Sequence, residues 1–329
     1  MRAILCYRNG GPEVLEAGEL PVPAPGPHDL LVAVRATSVN PVDTKVRRGG
    51  GAARAFPLVL GYDASGVVIA CGAAVTGWAA GDVVYGCPNL FGHGANAEYV
   101  LLDARAAARK PESVDHATAA ALPLVGLTAW EALHDRARIA PGQTVLIHAG
   151  AGGVGHVAVQ LARLHGCRVV TTAGRPESIA FCREALAADE VIDYRSTDFV
   201  ARVAELTGGK GVPVVFDTVG DETFRRSIDC VCVGGQLVTI LGANPGDQAA
   251  KLLYRSITVH YEFMGVRVAH GLDPEHHGRI LSGLARLVDR GLLRPHVSRH
   301  FALADVADAH RQIETGHTIG KVAVRVSAG

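Results

Sequence analysis

The sequence predicts an α/β protein in which a doubly wound parallel sheet is carried between two segments of a β-rich domain. Three observations lead there. An apolar strand, a glycine run and a helical pattern follow one another within residues 145–159; strands then alternate with helices to residue 264; and the first 115 or so residues are short apolar runs divided by Gly and Pro.

From the N-terminus, residues 1–7 form a first strand, and Gly10-Gly11-Pro12 and the proline-rich 21–27 segment punctuate the chain before a strand at 30–39. Segments 58–70 and 82–85 continue this β pattern. From residue 114 the composition shifts to Ala and Leu. Asp115 is placed to cap a helical stretch over 117–138, which Pro123 and Gly126 should break in two. Strands are predicted at 145–149, 168–172, 190–193, 213–217, 236–241 and 256–264, with helices at 153–165, 176–187, 197–207, 221–230 and 247–253. The remaining 266–329 segment holds a helix near 275–290, a second over 304–314 and a closing strand over 321–326. It is too small for a core of its own and should return to the N-terminal domain.

The glycine run carries the chemistry. Gly150, Gly152 and Gly155 stand as G-x-G-x-x-G, with Gly153 and Val154 between them, which allows a tight turn and close approach of the backbone to a pyrophosphate. The helix that starts there offers unpaired N–H groups and a positive dipole end to an anion. An ordinary strand-to-helix turn could show three such glycines in a chain with 39 of them, but the apolar strand before and the helical spacing after favour the dinucleotide grip. At the end of the second strand an NAD site would place an acid on the ribose. Here the residues are Ala173-Gly174-Arg175-Pro176-Glu177-Ser178, with Glu177 inside the next helix. Gly174 leaves space and Arg175 supplies a guanidinium for a 2′-phosphate, so NADP(H) is preferred; a solvated residue ahead of a helix is the alternative for Arg175.

Composition narrows the field. Thirty-two basic and 32 acidic residues cancel, which points to neither nucleic acid nor an anionic membrane as partner. No apolar run reaches the roughly 20 residues of a membrane span, and the N-terminus lacks a signal-peptide core, so a cytoplasmic location is expected. Seven scattered cysteines read as reduced and buried, and there is neither H-E-x-x-H nor a Cys pair at zinc spacing, so no metal is expected.

The chain resembles the medium-chain dehydrogenase/reductases, in particular their zinc-free, zeta-crystallin-like quinone oxidoreductase branch. The resemblance runs nearly end to end. It rests on Ser38-Val39-Asn40-Pro41-Val42-Asp43, Gly61-Tyr62-Asp63-Ala64-Ser65-Gly66, Gly81-Asp82-Val83-Val84, Gly126-Leu127-Thr128-Ala129, the glycine run, Val191-Ile192-Asp193-Tyr194 and Phe216-Asp217-Thr218-Val219-Gly220. It implies a GroES-like catalytic domain over 1–124, a Rossmann NADP-binding domain over 125–265, a 266–329 segment completing the first, and a catalytic cleft at their junction. Where related alcohol dehydrogenases hold zinc with Cys and His, this chain has Asn40 and Tyr62. Without a Lewis acid, the expected substrate is a small molecule already electrophilic, a quinone or a carbonyl-conjugated alkene, with an enoyl thioester, or a cofactor-binding role without turnover, as alternatives.

The resemblance also implies residue roles. Asn40 and Thr128 are hydrogen-bonding groups at the nicotinamide pocket, Lys45 a cation or acid where relatives often have Tyr, and Asp63 a charge partner. The alternative for Lys45 is an exposed turn residue beside Arg47 and Arg48. Ser178 and Tyr194 join Arg175 near the 2′-phosphate, while Thr218, Val219 and Gly242 lie toward the nicotinamide. His148 is expected to be buried and hydrogen-bonded. The alternating strand at 256–264 should be a sheet edge, through which a C2 homodimer is expected.

Overall fold

The computed structural model describes residues 1–50 and 55–326, so 51–54 of the loop at 45–57, expected to line the substrate pocket, lie outside the described residues. The chain divides into two compact units, Met1–Leu127 with Gly265–Gly329, and Thr128–Met264. The first division therefore falls at Leu127 and not after residue 124.

In the second unit six parallel strands, Thr144–Ile147, Arg168–Ala173, Glu190–Asp193, Val212–Asp217, Val231–Thr239 and Thr258–Tyr261, lie in the order third, second, first, fourth, fifth, sixth. This is the doubly wound Rossmann order, whose reversal beside the first strand makes a crevice for a dinucleotide. Val145, Leu146 and Ile147 are all fully buried, as a central strand covered on both faces requires. Leu146 stands opposite Val170 and Val215, and Val215 opposite Leu237, making one apolar rung packed with Phe199, Val203 and Phe224. Each such side chain stabilises the fold by about 1.5–3 kcal/mol.

The fifth strand starts earlier than the sequence predicts. It runs from Val231 through Gly234 and Gly235, with φ of +72° at Gly234 and a slip in pairing between Val212 and Val214. Two adjacent glycines resemble a turn in sequence, whereas here they bend a strand that continues. The sixth strand is at the sheet edge as expected, though shorter than 256–264, and Tyr261 and Phe263 near it are about half exposed.

In the first unit the long strand Asp29–Val39 pairs with Ala64–Cys71, Tyr99–Asp103 and Lys321–Arg325. Its inner residues Leu30, Val32 and Val34 pack with Ala64, Val68, Val84, Val100 and Leu102. The antiparallel pairing of Val322 with Val39 brings the C-terminal segment into this sheet, and Val297–Ala302 adds to it in parallel. Asp115 accepts from the Thr118 N–H at 2.8 Å and caps the helix His116–Ala120. The helical stretch then continues as Pro123–Trp130 and a wider π turn, Glu131–Arg136. Among the described residues no helix is long and apolar enough to cross a membrane.

Candidate functional site

The glycine turn of the second unit is shaped by what surrounds each missing side chain. A Cβ at Gly155 would lie 2.1 Å from the Ala149 carbonyl oxygen, and one at Gly150 2.1 Å from the Thr171 hydroxyl, itself bonded to the Ile147 carbonyl. Ala149 takes a φ of +50° to turn the chain. Gly152 donates to the Ala149 carbonyl at 2.8 Å and occupies the N-cap of the helix Gly153–Leu164. The N–H groups of Gly153, Val154 and Gly155 thus fall in the first turn, where no intrahelical acceptor exists and an anion is favoured. Nothing basic is needed.

At the end of the second strand, Arg175 occupies the N-cap position of the helix Pro176–Ala180 without a side-chain capping bond and is half-buried. The room left by Gly174 is filled: a Cβ there would lie 2.4 Å from the Tyr194 ring, which crosses the glycine and remains 54% exposed. Gly174 therefore accommodates an aromatic wall, which corrects the expectation that it leaves space for phosphate. Ser178 is buried in its helix, while the nearby Asp193 carboxylate accepts from the Arg195 N–H and the Ser196 hydroxyl. After the fourth strand, Asp217 accepts from the N–H groups of Val219 and Gly220 and from the Thr239 hydroxyl, fixing a loop in which Thr218 donates to the His148 carbonyl at 2.9 Å. Val219 is 45% exposed, and Gly242 is exposed with open space above it.

The first unit holds a buried polar cluster. Asp63, fully buried, accepts from the Ser38 hydroxyl at 2.5 Å, the Asn40 amide at 2.7 Å and the Leu124 N–H at 2.7 Å. Lys321, 2% exposed, donates to the Val39 carbonyl at 3.1 Å, to the Asn40 amide oxygen and to Asp63 at 3.4 Å. Both ends of the Asn40 amide are therefore engaged within the cluster, and Asp63 is a charge partner of Lys321. Asp43 accepts from the N–H groups of Asn40 and Gly61, yet burial pushes its carboxyl up to about 7. The Ser38, Asn40 and Asp63 segments all lie in quoted motifs. Lys321 does not; in the sequence it only begins the closing strand over 321–326.

Lys45 is exposed in the last turn of the helix Pro41–Arg47. Its neighbours differ from expectation. Arg47 is fully buried, donating to the Gly10 carbonyl at 3.1 Å, bonded to His310 and paired with Glu314, which also pairs with Arg48 at 2.9 Å. The three cations are not a shared solvated face. Thr128 is buried in the helix Pro123–Trp130, at the start of the second unit.

Comparisons with known proteins agree along the whole chain. Residues 26–112 match the family model described as the alcohol dehydrogenase GroES-like domain, and residues 186–324 the one described as zinc-binding dehydrogenase. A quinone oxidoreductase of Pseudomonas aeruginosa is 36% identical over 319 residues, 94% of this chain and 95% of that protein. A zinc-type alcohol dehydrogenase-like protein of Staphylococcus epidermidis is 34% identical over 93% of each chain. Among solved structures, an Escherichia coli quinone oxidoreductase complexed with NADPH is similar at a TM-score of 0.88 and 31% identity, over 99% of this chain and 100% of that one.

Proposed function

We propose, for a chain that belongs to the quinone oxidoreductase branch of the medium-chain dehydrogenase/reductases, a metal-free transfer of hydride from NADPH to a quinone or to an alkene conjugated to a carbonyl. The protein is an NADPH-dependent oxidoreductase; the acceptor and the independence of zinc are what we infer.

The observation that carries the inference is the state of Asn40. One family description and one relative's name mention zinc, and the residues here do not fit that ion. An amide and a phenol replace soft or imidazole ligands, the Asn40 oxygen already accepts from the Lys321 ammonium, and the Asp63 carboxylate is bonded to N–H and O–H donors. A divalent ion would have to displace a buried cation. An acceptor that needs no Lewis acid suits such a site.

Bound NADPH supplies the hydride. The turn at Gly150, Gly152, Gly153, Val154 and Gly155 binds its pyrophosphate, and Arg175 with Tyr194 the 2′-phosphate side. Thr218, Val219 and Gly242 border the nicotinamide, and Thr128 orients it. Asn40 and Asp63 hold the strand end that carries them in one conformation. Lys45, the exposed cation, stabilises the developing oxyanion or returns a proton. An enoyl thioester is less favoured, because Arg47 and Arg48 are engaged with Glu314 and do not form a basic channel for a phosphate-bearing tail. The exposed sixth strand of the parallel sheet pairs two copies about a twofold axis, which light scattering tests.

NADPH oxidation against a panel of quinones, enones and enoyl-CoA, with and without a chelator, tests the function. Turnover of a quinone or enone unchanged by the chelator is expected, with Lys45→Ala slowing kcat and leaving NADPH affinity intact. NADPH binding without oxidation by any acceptor would favour a cofactor-binding role, and inactivation by the chelator would defeat the metal-free reading.

A further inference from the structure

His148 directly follows the first strand of the parallel sheet and is 1% exposed. Its imidazole has a polar partner on each nitrogen: Thr172 Oγ1 lies 3.2 Å from Nδ1, and Ser227 Oγ 2.9 Å from Nε2. Both partners are buried, and Phe199 meets the ring edge-on with centroids 4.9 Å apart. The direction of each bond can be worked out. Ser227 gives its one proton to the Thr223 carbonyl at 2.6 Å, so toward His148 it accepts, and Nε2 carries hydrogen. Thr172 Oγ1 accepts from the Ala149 N–H at 3.0 Å, so its own proton is available to a bare Nδ1. Every donor and acceptor in this chain is used once if, and only if, the ring is neutral with its hydrogen on Nε2.

This chain ends on the cofactor turn. Ala149 begins the bend, and Gly150 donates to the Thr172 carbonyl at 3.1 Å, so Thr172 holds the turn by both its side chain and its backbone. On the other side the His148 carbonyl accepts from Thr218, which belongs to the loop after the fourth strand. A single residue thus ties the end of the second strand, the glycine turn and the loop after the fourth strand to one another.

We propose that His148, held as the neutral Nε2–H tautomer, is a positioning residue of the NADPH site, fixing the glycine turn through Thr172 and the Thr218 loop through its own carbonyl. It touches neither cofactor nor substrate, and it sets the geometry of the groups that do. The inference rests on NADPH binding by the second unit but not on the identity of the acceptor. Burial, opposed by the Asp217 carboxylate, holds the imidazole well below its ordinary range, which keeps the ring neutral at neutral pH; the hydrogen-bond chain selects the tautomer.

Two variants separate hydrogen bonding from volume. His148→Phe keeps a ring and removes both nitrogens; Thr172→Val keeps the shape and removes the hydroxyl. Each should weaken NADPH binding, followed by fluorescence titration, by about tenfold, with kcat at saturating NADPH within about twofold. The double variant should lose little more than either single one, because both cut the same chain. Lower thermal stability with NADPH affinity unchanged would reduce His148 to a core residue and overturn the proposal, as would full additivity of the two changes. Should a variant fail to fold, long-range 15N–1H NMR on the wild type decides: the Nε2–H form from about pH 8 to about pH 5 is expected, and an Nδ1–H form or a charged ring at pH 6 overturns it. Failure of the wild type to bind NADPH would instead remove the cofactor reading, and the NMR measurement would still test the tautomer.

Discussion

The glycine turn of the second unit and the polar cluster of the first are built from opposite materials. The turn is backbone: Gly150, Gly152 and Gly155 clear space, and peptide N–H groups at a helix start are what it offers a ligand. The cluster is side chain: Ser38, Asn40, Asp63 and Lys321 neutralise and satisfy one another inside the sheet. A backbone site depends on what is missing and tolerates no added atom. A side-chain site depends on what is present and tolerates no missing partner. The first kind should fail by losing ligand, and the second by losing the fold around it.

The largest effect should come from removing one charge of the buried pair. Lys321→Met leaves the Asp63 carboxylate uncompensated, and urea unfolding should show a loss of about 3–5 kcal/mol with NADPH affinity nearly unchanged. Adding Asp63→Asn should recover part of that loss; no recovery would mean that the pair is not the source. Next is Gly155→Ala, whose methyl would meet a backbone oxygen at 2.1 Å. Here overpacking should cost about 1–3 kcal/mol and also displace the phosphate turn, so that, unlike Lys321→Met, it lowers NADPH affinity. Equal affinity in titration would contradict the backbone account.

A smaller change, about tenfold in NADPH affinity with NADH affinity unaltered, is expected for Arg175→Ala, since only the 2′-phosphate distinguishes the two cofactors. A separate effect concerns pH. Burial, with the neighbouring Glu131 carboxylate, raises the carboxyl of Glu262 in the second unit, which is paired with Arg136 at 2.7 Å, as burial raises that of Asp43 in the first. A raised folded pKa means the proton favours the folded state: stability is complete below the ordinary carboxylate range and declines as pH rises through the folded value. For Asp43 that window runs from 3.8 to about 7. Thermal denaturation across it should show falling Tm, and Glu262→Gln should flatten only the second unit's share.

The sequence revealed the backbone half of this molecule better than the side-chain half, for a physical reason. Glycines, caps and strand patterns act over a few residues, so the strand positions and the Asp115 cap could be read locally. Arg47 could not, because its burial depends on His310 and Glu314, which reach it only once the chain has folded. Lys321 was hidden for the same reason, lying 258 positions from Asp63. Gly174 was misread in another way: its missing side chain implied room, and the occupant of that room, Tyr194, comes from the next strand's end.

The pairing of Val322 with Val39 has a consequence in time. On a ribosome, Asn40 and Asp63 emerge long before the strand that brings their cation. At about 5–20 residues per second the wait for Lys321 is on the order of tens of seconds. Throughout it the sheet of the first unit lacks its last partner, and by the time Lys321 is added every strand of the second unit has been made. The intervening domain can therefore close during synthesis, and the flanking one must wait for the Lys321–Arg325 strand, which makes nascent chains stalled before residue 321 the form most exposed to chaperones and aggregation.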